Sequence, residues 1–505
     1  MNLRLSIERR PRKPLPLAVP VFQTEGGPAW GRGQAALPPA LLKEARDDGF
    51  AAKGGETHLF HPRDGRPAER MLLVGLGKKS KADGSSVRLY GAALARRLAE
   101  VRWPAARVHV PDDVVPLPEA VQAVAEGLSL ADYRFDRHKS ARPPQGGVRH
   151  FFLSVTDRAP KTLESRLNRG LLMAEAVRFA RDLINEPPSR KTPVALGRAA
   201  RELSGGPVRV RVYDKAALGR MGAEALLGVN RGSAHPPVLV HLHYRPVRQS
   251  GTAPGGGRPA GKPLRRLAFV GKGITFDSGG LSLKTADGMA AMKYDMAGAA
   301  TVFSLFKVLP RLAPRLEVHG IAPLTENMPG PDAYKPGDVV RALNGKTIEI
   351  LNTDAEGRVV LADALSFASR LPADEIIDVA TLTGAVTVAL GKSYAALMTN
   401  TPRLEEGLRR AASAAGEKLW PLPLEASYRE HFRSKVADVK NIGNAGEAGT
   451  IIGGLFLQEF VGEKPWAHVD MAGVGWNAAG SPLSAPGATG AIVRTFLNYI
   501  LEADA

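Results

Sequence analysis

From Val208 to Met471 the chain alternates two kinds of segment. Short apolar or β-branched runs occur at 208–212, 237–244, 267–270, 317–322, 347–351, 375–381 and 395–398, and a last one at 467–471. Between them, residues 193–203, 215–221, 297–309 and 361–369 place apolar side chains at helical spacing, and 445–460 is Gly-rich and then helical. Such alternation predicts a mostly parallel or mixed sheet covered by helices on both faces. Sheets of that kind bind ligands beyond the carboxyl ends of their strands.

The first third repeats the theme on a smaller scale. Residues 1–8 alternate like a strand, as do 71–77, 107–110 and 150–155, with helical patterns at 87–101 and 117–133. Gly75-Leu76-Gly77-Lys78-Lys79 suggests a phosphate loop but lacks the required spacing, and reads as a strand end and turn. Residues 137–148, rich in Arg, Pro and Gly, read as a loop. A long amphipathic pattern covers 161–183 and stops at Asn185-Glu186-Pro187-Pro188, because two prolines cannot continue a helical ladder. A chain of 505 residues exceeds a single core. The expected fold class is α/β, with a small N-terminal α/β domain over 1–160, a linker helix over 161–184 and a larger domain over 185–505. The larger domain is expected to hold a central mixed β-sheet flanked by helices. No internal repeat is visible.

Composition narrows the chemistry. There is no cysteine, which removes disulfides, thiolate ligands and thiol nucleophiles. No apolar run reaches the length of a membrane span, and the start lacks a signal-peptide core, so a cytoplasmic protein is expected. The net charge is +18, and residues 1–180 carry 30 basic side chains against 19 acidic ones. That surplus fits a solvated arginine-rich surface or a face that meets DNA.

Two stretches concentrate ionisable groups at strand ends: Lys272-Gly273-Ile274-Thr275-Phe276-Asp277 and Asn352-Thr353-Asp354-Ala355-Glu356-Gly357-Arg358. With Lys284 and Asp295 they bring together four carboxylates, two lysines and an arginine. Carboxylates crowded without neutralisation raise one another's pKa, and divalent cations resolve that conflict. An ion-pair cluster is the other reading. Gly279-Gly280 supports the metal reading, since paired glycines let backbone approach a ligand. No histidine or cysteine ligand pair is at hand, so a site here is oxygen-rich and suits Mn2+ or Mg2+ as well as zinc. A serine nucleophile is poorly supported, because no Gly-x-Ser-x-Gly elbow occurs. His241 and His243 share one strand face and could bind metal, but lack a third ligand nearby and read as strand histidines.

These stretches carry a resemblance. Val270–Gly280 and Asn352–Arg358 resemble the two signatures of the leucyl (cytosol) aminopeptidase family, and Met292-Lys293-Tyr294-Asp295-Met296 and Asp182–Pro188 are similar to further blocks of it. The likeness runs from about residue 180 to the end; the first third agrees only in layout. It implies two divalent ions, Mn2+ or Zn2+, with Mg2+ an option at the exchangeable site. The tighter ion would be held by Lys272, Asp277, Asp295 and Glu356, and the other by Asp277, Asp354 and Glu356. It further implies a metal-bridged hydroxide as nucleophile, Lys284 polarising the scissile carbonyl, and Arg358 holding bicarbonate as general base. Met292, Thr381, Leu382 and Gly384 would line an apolar slot for a leucine-like first residue. The family layout implies short peptides as substrates and a homohexamer. A DNA-binding or regulatory protein using the basic N-terminal domain is the alternative, and the Gly/Pro/Arg-rich stretch 245–264 has no assigned role.

Overall fold

The structure is a computed structural model that describes residues 3–8, 15–31, 37–60, 70–141, 149–155, 162–246 and 264–504. Most of the expected loop 245–264 and residues 142–148 of the other lie outside the described residues. The chain forms two compact units, Met1–Arg178 with Ala478–Gly487, and Phe179–Asn477 with Ala488–Ala505. The division falls inside the helix expected as a linker over 161–184, and a ten-residue excursion near the C-terminus belongs with the first unit.

The first unit is built from β1 (Leu3–Glu8), β2 (Leu17–Thr24), β3 (Gly27–Trp30), α1 (Pro39–Asp47), β4 (Thr57–Phe60), β5 (Met71–Lys78), α2 (Gly84–Glu100), β6 (Ala105–His109), α3 (Leu117–Ala131) and β7 (Arg149–Ser154). Its sheet runs β1-β7-β6-β2-β5-β4, with β3 beside β2. Capping fixes the start of α2: Asp83 Oδ1 accepts from the Ser86 amide at 2.9 Å, and Ser86 Oγ accepts from the Asp83 amide at 3.3 Å. Val87, Leu94, Val124 and Leu128 of α2 and α3 bury against Leu72, Val74, Phe151 and Leu153 of the sheet. Helix α4 (Leu163–Asn185) then crosses from the first unit into the second.

The second unit continues with α5 (Pro193–Arg201), β8 (Val208–Tyr213), α6 (Lys215–Met221), α7 (Glu224–Asn230), β9 (Val238–Tyr244), β10 (Arg266–Gly271), β11 (Gly273–Asp277), α8 (Ala286–Ala290), α9 (Ala297–Leu312) and β12 (Glu317–Asn327). It goes on with β13 (Val339–Arg341), β14 (Thr347–Glu349), α10 (Glu356–Ser369), β15 (Glu375–Ala380), α11 (Ala385–Leu390), β16 (Ala395–Thr399), α12 (Pro402–Ala415), β17 (Leu419–Pro421), β18 (Val439–Lys440), α13 (Gly449–Gln458), β19 (Trp466–Asp470), β20 (Trp476–Asn477), β21 (Gly487–Ala488) and α14 (Val493–Ala503). The main sheet has the order β17-β16-β19-β15-β10-β12-β9-β8, with β11 beside β12. Strands β19, β15, β10 and β12 are parallel, whereas β16, β9 and β8 are joined antiparallel, so the sheet is mixed as expected.

Side chains alternate between sheet faces, and helices cover both, α9 and α10 among them. Gly320 lies against Val302 and Phe306 of α9 because a Cβ there would meet the Phe306 ring at 2.4 Å. Ile321 joins Val270, Val359, Val360 and Ala364 in the core beneath α10.

Three expectations shift. The strand expected at 347–351 pairs within a separate sheet, β13-β14-β18, and not in the main one. The helix expected from 361 starts at Glu356, which puts Glu356 and Arg358 in its first turn. The run at 467–471 is not the final strand, since β20 and β21 follow. Among the described residues no helix is long and apolar enough to cross a membrane.

Candidate metal centre

The parallel arrangement of β10, β12 and β15 brings their carboxyl ends together. Lys272 lies between β10 and β11, Asp277 ends β11, and Thr381 follows β15. Asp295 follows the single turn Met292–Tyr294, and the N-terminus of α10 presents Glu356. A helix N-terminus favours an anionic side chain, so Glu356 suits its position.

Lys272 is the hub. Its Nζ lies 2.9 and 2.8 Å from the two oxygens of Asp295 and 2.9 Å from Glu356 Oε1, and donates to the Thr381 carbonyl at 3.0 Å. The Thr381 hydroxyl donates to Asp295 Oδ1 at 2.7 Å. Lys284 Nζ sits 3.0 Å from Asp277 Oδ2 and 2.5 Å from Asp354 Oδ1. Asp277, Asp354 and Glu356 each offer an oxygen, all within 4.8 Å of one another.

Local backbone makes the approach tight. Gly279 and Gly280 have φ of +87° and +66°, which turns the chain directly after Asp277 and lets the Gly279 amide donate to Asp277 Oδ1 at 2.9 Å. A Cβ on Gly357 would sit 2.5 Å from Lys272 Cε, so only glycine leaves Lys272 its place.

Three oxygens betray an incomplete set. Asp295 Oδ2, Asp354 Oδ1 and Glu356 Oε2 are buried without a hydrogen-bond partner among the described residues. The first two are ion-paired to lysine ammonium groups at 2.8 and 2.5 Å. Orphaned buried carboxylate oxygens are costly, and this oxygen-rich, convergent set fits a divalent cation.

Burial pushes Glu356 up to about 8, with Asp277 adding and Lys272 opposing; burial pushes Asp295 up to about 6 against the pull of Lys272. Burial also raises Asp354, with Asp277 adding to it. Burial disfavours charge on Lys272 and Lys284, yet the neighbouring carboxylates outweigh it and hold both above ordinary lysine. Arg358 is 9% exposed and stacks on Phe456 at 6.0 Å, and burial takes it down to about 10. Among the described residues its guanidinium has neither hydrogen bond nor ion pair. Met292 heads the turn that delivers Asp295 and is half-buried, while Leu382 (half-buried) and Gly384 (exposed) follow Thr381 into α11.

The catalytic-domain profile of the cytosol aminopeptidase family matches residues 178–497, and the family's N-terminal-domain profile matches 19–142. The chain belongs to the cytosol aminopeptidase family. It is a metal-dependent aminopeptidase with the two-domain layout of that family. Similar proteins include a probable cytosol aminopeptidase of Geobacter sp. (strain M21), 41% identical over 96% of both chains. Another from Solibacter usitatus is 39% identical over 99% of both. The solved structure of the bottromycin maturation enzyme BotP in complex with Mn is 37% identical and superposes with a TM-score of 0.84, covering 98% of this chain and 100% of that one.

Several residues of this aminopeptidase's centre escaped the sequence reading. Asn327, at the end of β12, donates to Asp277 Oδ1 at 2.8 Å and to the Thr353 carbonyl at 3.0 Å. Asp470 of β19 accepts from the amides of Leu382 and Thr383 at 3.2 and 3.1 Å and so shapes the loop after Thr381. Buried Lys191 donates to the Ile184 and Lys293 carbonyls at 2.6 and 2.5 Å, tying the end of α4 to the turn before Asp295. No local pattern marks these residues; each acts on a partner distant in the chain.

Proposed function

We propose that the enzyme releases leucine-like N-terminal residues from short peptides, with the cluster around Lys272 as its two-metal centre. The observation that carries this is the convergence of oxygens from Asp277, Asp354 and Glu356 within 4.8 Å of one another, with Glu356 Oε2 buried and without a hydrogen-bond partner among the described residues. Lys272, Asp277, Asp295 and Glu356 would hold one divalent ion, and Asp277, Asp354 and Glu356 the second. Bound there, such ions supply Lewis acidity and a water acidic enough to act as nucleophile near neutral pH. Manganese in the related BotP structure supports Mn2+, and oxygen ligands suit it.

The chain's own groups take complementary parts. Lys272 as a ligand must surrender its proton, which a cation among its carboxylates would favour. Lys284, about one-fifth exposed on its side chain, can reach a carbonyl oxygen and stabilise the charge that develops on it. Arg358, a buried guanidinium with no hydrogen bond or ion pair among the described residues, would anchor bicarbonate as the base that accepts the water's proton. Met292, Thr381, Leu382 and Gly384 would form the first-residue slot. A homohexamer and a cytoplasmic location complete this reading.

The DNA-binding alternative is not favoured by the first unit, where Arg88, Arg107 and Arg149 are paired with Glu126, Glu8 and Asp132. The direct test compares leucyl-peptide hydrolysis before and after acetylation of the substrate's α-amine. Acetylation should stop cleavage; undiminished hydrolysis of the blocked peptide would overturn the N-terminal reading.

A further inference from the structure

The strands β9 and β12 place a second set of ligands at the opposite end of β12. His243 pairs directly with His319 across the antiparallel ladder, and His241 stands two residues away on the same face. Glu317 Oε2 lies 3.2 Å from His243 Nε2, and His241 Nε2 lies 3.1 Å from His319 Nδ1. Ligand atoms of His243, Glu317 and His319 all fall within 4.8 Å of one another. The third ligand that was missing beside His241 and His243 in the sequence is supplied by the neighbouring strand.

We propose that this face is a nitrogen-rich site for one late first-row divalent ion, Zn2+ or Ni2+, held by His243, His319 and Glu317 with His241 alongside.

The supporting observation is His319 itself. It is 3% exposed, and its Nε2 has no hydrogen-bond partner among the described residues. A buried ring nitrogen with no hydrogen-bond partner is open to a ligand. Burial, the adjacent imidazoles and the charges of Arg266 and Lys464 hold His319 down to about 3. Burial, His243 and Arg211 hold His241 down to about 4. Both rings are therefore neutral at pH 7, the form in which imidazole binds metal. Those same cations, with Arg245 at 3.2 Å from Glu317, weigh against a hard ion attracted mainly by charge. Nitrogen ligation favours zinc or nickel over magnesium or manganese.

Geometry asks for a small adjustment. Ligand atoms on one tetrahedral ion bound at about 2.1 Å lie roughly 3.4 Å apart. The His243 and His319 rings stack at 4.2 Å with 16° between their planes, so His243 must turn for both to point at one ion. His243 has 28% of its side chain exposed, which leaves it room and gives the ion an entry path. Phe367 of α10 closes the far side edge-on to His241, 5.4 Å between centroids.

The test is ion counting on the full chain dialysed against Zn2+ and, separately, Ni2+. Wild type should bind one equivalent more than His243→Gln and one more than Glu317→Gln, while Mn2+-supported hydrolysis stays within twofold in both variants. Cu2+ used as a probe should show nitrogen couplings in its electron spin resonance that His243→Gln loses. Equal ion counts in wild type and both variants would overturn the proposal. Neither variant alters His319 itself, and retained hydrolysis reports that each is folded.

Discussion

Strand β12 and helix α10 each run between two clusters of opposite character. At one end, Asn327 and Glu356 join lysines and carboxylates; at the other, Glu317 and His319 join two more histidines beneath Phe367. The first cluster is charged, with orphaned oxygens and acids pushed upward by burial. The second gathers imidazoles, and burial pushes His241 and His319 downward. The same desolvation acts on both, and the chemistry of the acid or base decides the direction. The lesson is that a carboxylate cluster must be completed by cations, whereas imidazoles can wait neutral. Function that depends on metal should therefore be far more fragile at the first cluster than at the second.

The largest contrast is expected from Glu356→Ala. It would remove a ligand shared by both proposed ion positions, and leucyl-substrate hydrolysis should fall to background even in metal-reloaded protein. Activity near wild type would erase the distinction between the two ends. Next comes Lys284→Ala, which should lower kcat by about 10²–10³-fold, as loss of one electrostatic stabiliser does, with ion content intact. Parallel loss of bound ions would instead make Lys284 a structural partner of Asp277 and Asp354.

Gly357→Ala is subtler, since it touches no ligand oxygen. The added methyl meets Lys272 at 2.5 Å and should reduce metal affinity or activity by about 10–100-fold, the range for groups that orient a ligand. An unchanged enzyme would show that Lys272 has room to move. The smallest effect is a pH dependence. Burial raises Glu356 to about 8 and Asp295 to about 6, so an incoming ion must displace protons below those values. Affinity should rise with pH between roughly 6 and 8, by about tenfold per unit for each proton displaced, as titration calorimetry in several buffers would reveal.

Much of the first cluster was legible in the chain. Lys272 and Asp277, and Asp354, Glu356 and Arg358, are close in sequence, and local spacing was enough to place them at strand and helix ends. The resemblance then suggested how they divide the work. Asn327, Asp470 and Lys191 carried no such mark, because each acts on a partner far along the chain.

The amino-acid sequence by itself determined the alternation of strands and helices, the oxygen-rich character of the centre and its two short signature stretches. These are local properties, set by side-chain periodicity and by turns that need glycine. Tertiary structure alone decided that β14 leaves the main sheet, that Thr381 closes on Asp295 and Lys272, and that His319 faces His243. Each depends on which strands pair and in what register. Shifting a strand by one residue turns its side chains to the other face, and no local pattern specifies that choice between distant segments.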